Sequence, residues 1–196
     1  LWKALADRAK NDQEFAAKFK LRLIGGVDHT VIESIDRSGL TSFLERNAHV
    51  DHAEAIRQMQ RARVLLLPVN NTPNVGGFLP AKVFEYLSVQ RPILAVAPRD
   101  SDMARLLGND HLLVDRNSEK EIKEAVSKLF MEERRSSIDP ARYSRQELTR
   151  SLVHLLESTI GERPAHGRFE WRTHRLGDQL ARTDFDRHVL ARAALE

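Results

Sequence analysis

The sequence predicts an α/β fold built on a parallel, doubly wound sheet. Short apolar runs and amphipathic stretches alternate along the chain, as strands joined by crossover helices require. The run Val64-Leu65-Leu66-Leu67-Pro68-Val69 is so uniformly apolar that it reads as a strand buried on both faces, which parallel sheets contain. Three boxes, Asp51-x-x-Glu54, Ser118-x-x-Glu121 and Ser144-x-x-Glu147, have the spacing with which a side chain caps a helix start.

The elements follow in order. Leu1 to Phe19 reads as one helix, with Leu5, Phe15 and Phe19 among its apolar positions. Leu21-Arg22-Leu23-Ile24 reads as a strand ended by Gly25-Gly26. Thr30 to Ser38 is helical by the one-turn spacing of Val31 and Ile35, with Gly39 as its stop. Phe43-Leu44-Glu45 is a short strand, and the Asp51 box opens a helix carrying Ile56 and Met59. After the Val64 strand, a glycine-rich loop leads into a helix from Pro80, and Pro92 to Ala97 forms the next strand. Asp100 to Leu107 is a short helix stopped by Gly108, and Leu112-Leu113-Val114 is the last strand. The two serine boxes then open helices with apolar stripes Ile122, Val126, Leu129 and Leu148, Leu152, Leu155.

Composition sets the outer limits. At 196 residues, 41% hydrophobic and 30% charged, the chain has room for one globular domain or for a domain with an appendage. The absence of cysteine excludes disulfides, thiolate catalysis and Cys-ligated zinc. No stretch reads as a signal peptide or approaches the roughly 20 apolar residues of a membrane span, so a cytoplasmic protein is expected. Lys and Arg total 31 against 28 acids, a mixed surface with no basic–aromatic interleaving, which disfavours nucleic acid as a partner. A modest attraction to anionic lipid headgroups is compatible with this balance.

The chemistry concentrates in Asn74-Val75-Gly76-Gly77-Phe78-Leu79-Pro80-Ala81-Lys82-Val83-Phe84-Glu85-Tyr86-Leu87. Glycines after a strand let main chain approach a ligand without a Cβ between them. Pro80 suits the first turn of a helix, whose free N–H groups attract phosphate. Lys82 adds a cation, and Glu85, three residues on, adds a hydroxyl-accepting carboxylate on the same face. Phosphate donors beside such a carboxylate describe a nucleoside diphosphate site. The alternative is a tight turn followed by a solvated Lys82–Glu85 pair.

With Arg91-Pro92-Ile93-Leu94-Ala95, the stretch Pro80 to Leu87 resembles the donor-site signature of group 1 glycosyltransferases of the GT-B fold. There a glycine-rich loop precedes P-x-K-x-x-E-Y-L, a short turn and a P-I-L-A strand. The resemblance extends more loosely from about Leu1 to about Leu156. It implies a Rossmann-like three-layer α/β/α domain, the C-terminal half of a GT-B fold, over residues 1–160. A helical C-terminal extension would complete the chain. It also implies that the domain here begins after its first strand, and that the acceptor-binding N-terminal domain with its catalytic residues lies elsewhere. Glu85 matches the glutamate that accepts from the ribose hydroxyls. Gly76, Gly77, Phe78 and Leu79 match the loop whose N–H groups face the diphosphate, with Lys82 typical of one subgroup. The second glutamate that many relatives carry eight positions earlier is here Gly77, so that route to the donor sugar is broken.

Val50, within His49-Val50-Asp51-His52, falls where relatives read the base through main chain; a polar turn is the equal alternative. Two histidines without a third ligand point to no metal. Residues 161–196 form a distinct polar tail, with seven arginines, no lysine and six acids, and with Leu180, Val189 and Leu190 as a thin apolar face for a short helix. The expected activity is donor binding for a retaining glycosyltransferase. It would use a nucleoside diphosphate sugar, UDP-sugar first, on a saccharide or lipid-linked acceptor, without a metal and without a resident cofactor. The parent enzyme would serve polysaccharide assembly, with a peripheral contact on the inner membrane face. These residues alone are expected to bind donor and not to turn it over. A non-catalytic phosphate-binding regulatory domain and a GT-B-type nucleotide-sugar epimerase are the alternatives.

Overall fold

A computed structural model describes residues 1–109, 111–132, 136, 138–160 and the backbone of 192–195. The chain is mixed α/β with parallel strands and divides into two units, Leu1–Pro140 with Val189–Glu196, and Ala141–His188.

The amino-terminal segment is two helices rather than one: α1 (Trp2–Asn11) and α2 (Gln13–Lys18). Asp12 separates them. Its backbone is extended, and its carboxylate accepts from the Phe15 N–H at 2.9 Å, so an aspartate able to cap ends one helix and starts the next. Strand β1 (Leu21–Ile24) ends at Gly25, which takes φ +92°, a left-handed turn that a side chain would strain. Helix α3 (His29–Arg37) is capped by Asp28, and a 3-10 turn at Thr41–Phe43 leads into β2 (Leu44–Asn47). The expected strand at Phe43 therefore begins one residue later and runs to Asn47.

Helix α4 (His52–Arg61) starts at the Asp51 box, the carboxylate accepting from the Glu54 N–H at 2.7 Å. Strand β3 (Val64–Pro68), helix α5 (Lys82–Ser88), strand β4 (Ile93–Val96), helix α6 (Asp102–Leu107) and strand β5 (Leu112–Val114) follow in the expected alternation. Helix α7 (Glu119–Met131) has the Ser118 cap, and α8 (Arg145–Ile160) lies in the second unit. Strand β6 (Arg192–Leu195) lies within the stretch read as a polar tail. The expected helix around Leu180, Val189 and Leu190 falls outside the described residues.

The sheet order is β2-β1-β6-β3-β4-β5. β1 pairs with β2, β3 with β4 and β4 with β5, all parallel; β6 joins these two ladders by antiparallel pairing to β1 and β3. Both faces of the central strands are buried. Val64, Leu66, Leu94 and Val96 pack in one cluster with Leu5 of α1, Phe15 of α2, Ile35 of α3 and Ile122, Val126 and Leu129 of α7. Their alternating neighbours Leu65, Leu67, Ile93 and Ala95 are equally buried outside that cluster, as are Met59, Tyr86, Leu87 and Met103 of α4, α5 and α6. A strand buried on both faces needs apolar residues throughout, which is why the Val64 run lacks alternation. Stacked Phe15 and Phe19, with ring centres 4.8 Å apart, and Phe130 edge-on to Phe15 close the α1–α2–α7 end. At the far ladder, the buried His111 accepts from the Ile93 N–H through Nδ1 and meets Ser136 Oγ at 3.1 Å through Nε2. Among the described residues no helix is long and apolar enough to cross a membrane.

Candidate functional site

Because β1 to β5 are parallel, the loops after them gather at one edge of the sheet. These are Gly25-Gly26, residues 48–51, 69–81, 97–101 and 115–118. Ligands of open α/β sheets bind at this edge, and Val50 and the glycine loop, which leads into α5, both lie on it. Val50 is half-buried after β2, immediately before the Asp51 cap. β2 and β3 are three strand intervals apart, about 14 Å, so Val50 and the glycine loop can share only an extended ligand.

The glycine loop has an internal structure that the sequence does not announce. Val75–Gly77 forms a 3-10 turn, in which the Gly77 N–H donates to the Asn74 carbonyl at 3.2 Å and the Phe78 N–H to Val75 at 3.3 Å. Two of the four expected donors are thus committed to the turn. The N–H groups of Gly76 and Leu79 have no backbone partner among the described residues. Neither glycine has a positive φ; a Cβ added at Gly76 would lie 3.6 Å from the Asp100 carbonyl, and one at Gly77 3.8 Å from Asp102 Oδ2. Those are ordinary contacts, so the turn itself does not require glycine at either position.

Helix α5 begins at Lys82, with Ala81 at its cap, so Pro80 stands before the first turn rather than within it. Val83 and Phe84 donate to the Pro80 and Ala81 carbonyls at 3.0 and 3.1 Å. Lys82 is only 6% exposed and Glu85 is half-buried. A buried ammonium costs several kcal/mol unless it is compensated (order of magnitude), so Lys82 is not a solvated surface cation. Tyr86, fully buried one residue after Glu85, points its hydroxyl at the Leu66 carbonyl 3.5 Å away and seats the helix on β3.

A charged cluster that sequence reading passed over lines the same edge. The glycine turn rests against residues 100–102, and Asp100 and Asp102 both pair with Arg105. Arg99 binds Glu121 at 2.8 Å. That guanidinium, followed by the Asp115 N–H, holds the Glu121 carboxyl below its ordinary range, and Glu121 raises Arg99 in turn. Arg116 donates to the Val69 carbonyl, where β3 gives way to the glycine loop. The only sequence signal for this cluster is the run Pro98-Arg99-Asp100-Ser101-Asp102 after an apolar strand, which also describes a plain helix start. His49 and His52 are both exposed.

No family model matches this chain, and no curated protein matches it.

Proposed function

We propose that this chain is the donor-binding half of a retaining glycosyltransferase, a Rossmann-like three-layer domain that holds a nucleoside diphosphate sugar at the glycine edge of its sheet. The observation that carries the reading is the pair Gly76-Gly77. The conformation of the loop does not require these glycines and its packing leaves room for a Cβ at each, so a ligand approaching the main chain would account for them. The Gly76 and Leu79 N–H groups would face the diphosphate, Glu85 would accept from the ribose, and Val50 would meet the base. Lys82, one turn before Glu85, supplies positive charge beneath the phosphates. Departure of the diphosphate would be stabilised electrostatically by these amides and cations, without a metal. Acceptor and catalytic residues would come from a second, N-terminal domain.

The Gly76 and Leu79 N–H groups would by themselves also serve a second reading, a non-catalytic phosphate-binding domain that makes no use of Glu85 or Val50, with Arg105 offsetting Asp100 and Asp102 beside the loop. Calorimetric titration with UDP, GDP, ADP and uridine separates the two. Under the first reading UDP binds, and Glu85→Ala weakens it by about 1.5–3 kcal/mol, the range for a charged hydrogen bond. Gly77→Val, whose Cβ the fold accommodates, abolishes the preference of UDP over uridine. Unchanged affinity in folded Glu85→Ala, or equal losses for both ligands in Gly77→Val, overturns the assignment.

A further inference from the structure

The space over the glycine turn has a polarity that a phosphate group does not match. Where a Cβ would stand, Gly76 faces the Asp100 carbonyl at 3.6 Å and Gly77 faces Asp102 Oδ2 at 3.8 Å. Beyond the adjoining residues, no other described atom comes within 4 Å of either place. Both bordering atoms are acceptors with capacity to spare. Among the described residues the Asp100 carbonyl accepts no hydrogen bond, and Asp102 commits only Oδ1, to Arg105. Ser101 between them is buried. Its hydroxyl donates to the Pro98 carbonyl at 2.6 Å and accepts from the Ala104 N–H at 3.3 Å, which holds the two acceptors in place.

A phosphate oxygen is itself a charged acceptor, so a carbonyl and a carboxylate oxygen repel it. A hydroxyl donates and fits both. A divalent cation matches the charge but takes about six or more oxygens, whereas two stand here and the Arg105 guanidinium lies against both carboxylates. We propose that Asp102 Oδ2 and the Asp100 carbonyl accept from hydroxyls of the donor sugar over Gly76-Gly77, so that Asp102 is the residue that tells a nucleotide sugar from the bare nucleotide. Arg105 is a positioning residue: by holding Oδ1 it leaves Oδ2 turned to the glycines. The inference rests on the nucleotide-sugar reading of this edge, in which the diphosphate lies against the Gly76 and Leu79 N–H groups and the sugar is the group next to it.

The test titrates UDP, GDP and ADP beside their hexose esters UDP-glucose, GDP-mannose and ADP-glucose, by calorimetry, on the unmodified chain and on Asp102→Asn. Arg105 holds the amide oxygen of that asparagine, which leaves its NH2 over Gly77 and turns an acceptor into a donor. The variant should bind the hexose ester at least about tenfold more weakly, the loss of a charged hydrogen bond, and the parent nucleotide within about threefold of the unmodified chain. Retained binding of the parent nucleotide also shows that the variant is folded. Asp100→Asn removes the same charge beside the same arginine but keeps the carbonyl, so it should shift both ligands of a pair alike and by less than about threefold. An unchanged affinity for the ester in Asp102→Asn, an equal loss of ester and parent, or the same selective loss in Asp100→Asn overturns the proposal and leaves the nucleotide reading standing. Failure of every parent nucleotide to bind the unmodified chain overturns that reading, and this inference with it.

Discussion

Helices α7 and α8 carry the same signature and end in opposite environments. Each opens on a serine whose hydroxyl accepts from the N–H three residues on, Ser118 from Glu121 at 3.3 Å and Ser144 from Glu147 at 3.2 Å. Each then repeats apolar residues at helical spacing. In α7 the stripe is core: Ile122, Val126 and Leu129 are 2, 3 and 4% exposed. In α8, Leu148, Leu152 and Leu155 are 51, 54 and 61% exposed. A periodic stripe therefore specifies an amphipathic helix, but whether that face is covered depends on what the rest of the fold brings to it. α7 lies against a sheet whose face needs a cover, while α8 belongs to the other compact unit.

The largest expected difference between them comes from truncating matched leucines. Leu129→Ala should cost about 2–5 kcal/mol in urea unfolding, because it removes contacts and leaves a cavity in a closed core. Leu152→Ala should stay within about 0.5 kcal/mol, as for an exposed site. Similar losses at the two positions would show that the α8 stripe is covered in solution and would remove the contrast.

The contrast also marks what the sequence allows one to read. β1, β3, β4 and β5 are legible to within a residue or so, because their apolar runs stop at glycine, proline or polar turn residues. The break at Asp12 is not, since Leu5, Phe15 and Phe19 keep helical rhythm across it and only the carboxylate's capture of the Phe15 N–H reveals the boundary. β6 is illegible for a different reason: Arg-Ala-Ala-Leu has no strand preference of its own, and its neighbours impose the conformation. At the candidate site, the loop and Glu85 could be identified from residue type and spacing. The burial of Lys82 could not, because a lysine on a short helix reads as solvated until the packing is known. Nor could the use of the Gly77 and Phe78 N–H groups within the turn, which depends on backbone dihedrals rather than residue identity.

A smaller effect separates the two caps. Ser118→Ala should lower global stability by about 1 kcal/mol, since an orphan N–H at the start of a core helix loses its acceptor. The same change at Ser144 should reduce helicity in α8 while leaving the main unfolding transition nearly in place. Far-ultraviolet circular dichroism beside near-ultraviolet unfolding separates these outcomes. A full loss of global stability from Ser144→Ala would mean that the two units unfold together.

The smallest effect is electrostatic and is confined to the first turn of α7. Hydrogen bonding from Lys123 holds Glu119 below its ordinary range, and hydrogen bonding from Arg99, then from the Asp115 N–H, does the same for Glu121. A carboxylate depressed in the folded state binds a proton less readily there than in the unfolded chain. Its contribution is therefore present at neutral pH and lost as pH falls through the ordinary carboxylate range towards the lower folded value. Both groups are solvent-facing, so salt screens the contribution and it should fall below that of the Ser118 cap. Glu121→Gln should make the loss of stability on acidification shallower than in the unmodified chain, and added salt should narrow the gap between the two curves. The Asp115 N–H still finds an amide oxygen in that variant, so a changed acid limb reports the charge rather than the hydrogen bond. Identical pH profiles for the two chains would show that the Arg99–Glu121 pair is formed but energetically neutral, as many exposed ion pairs are.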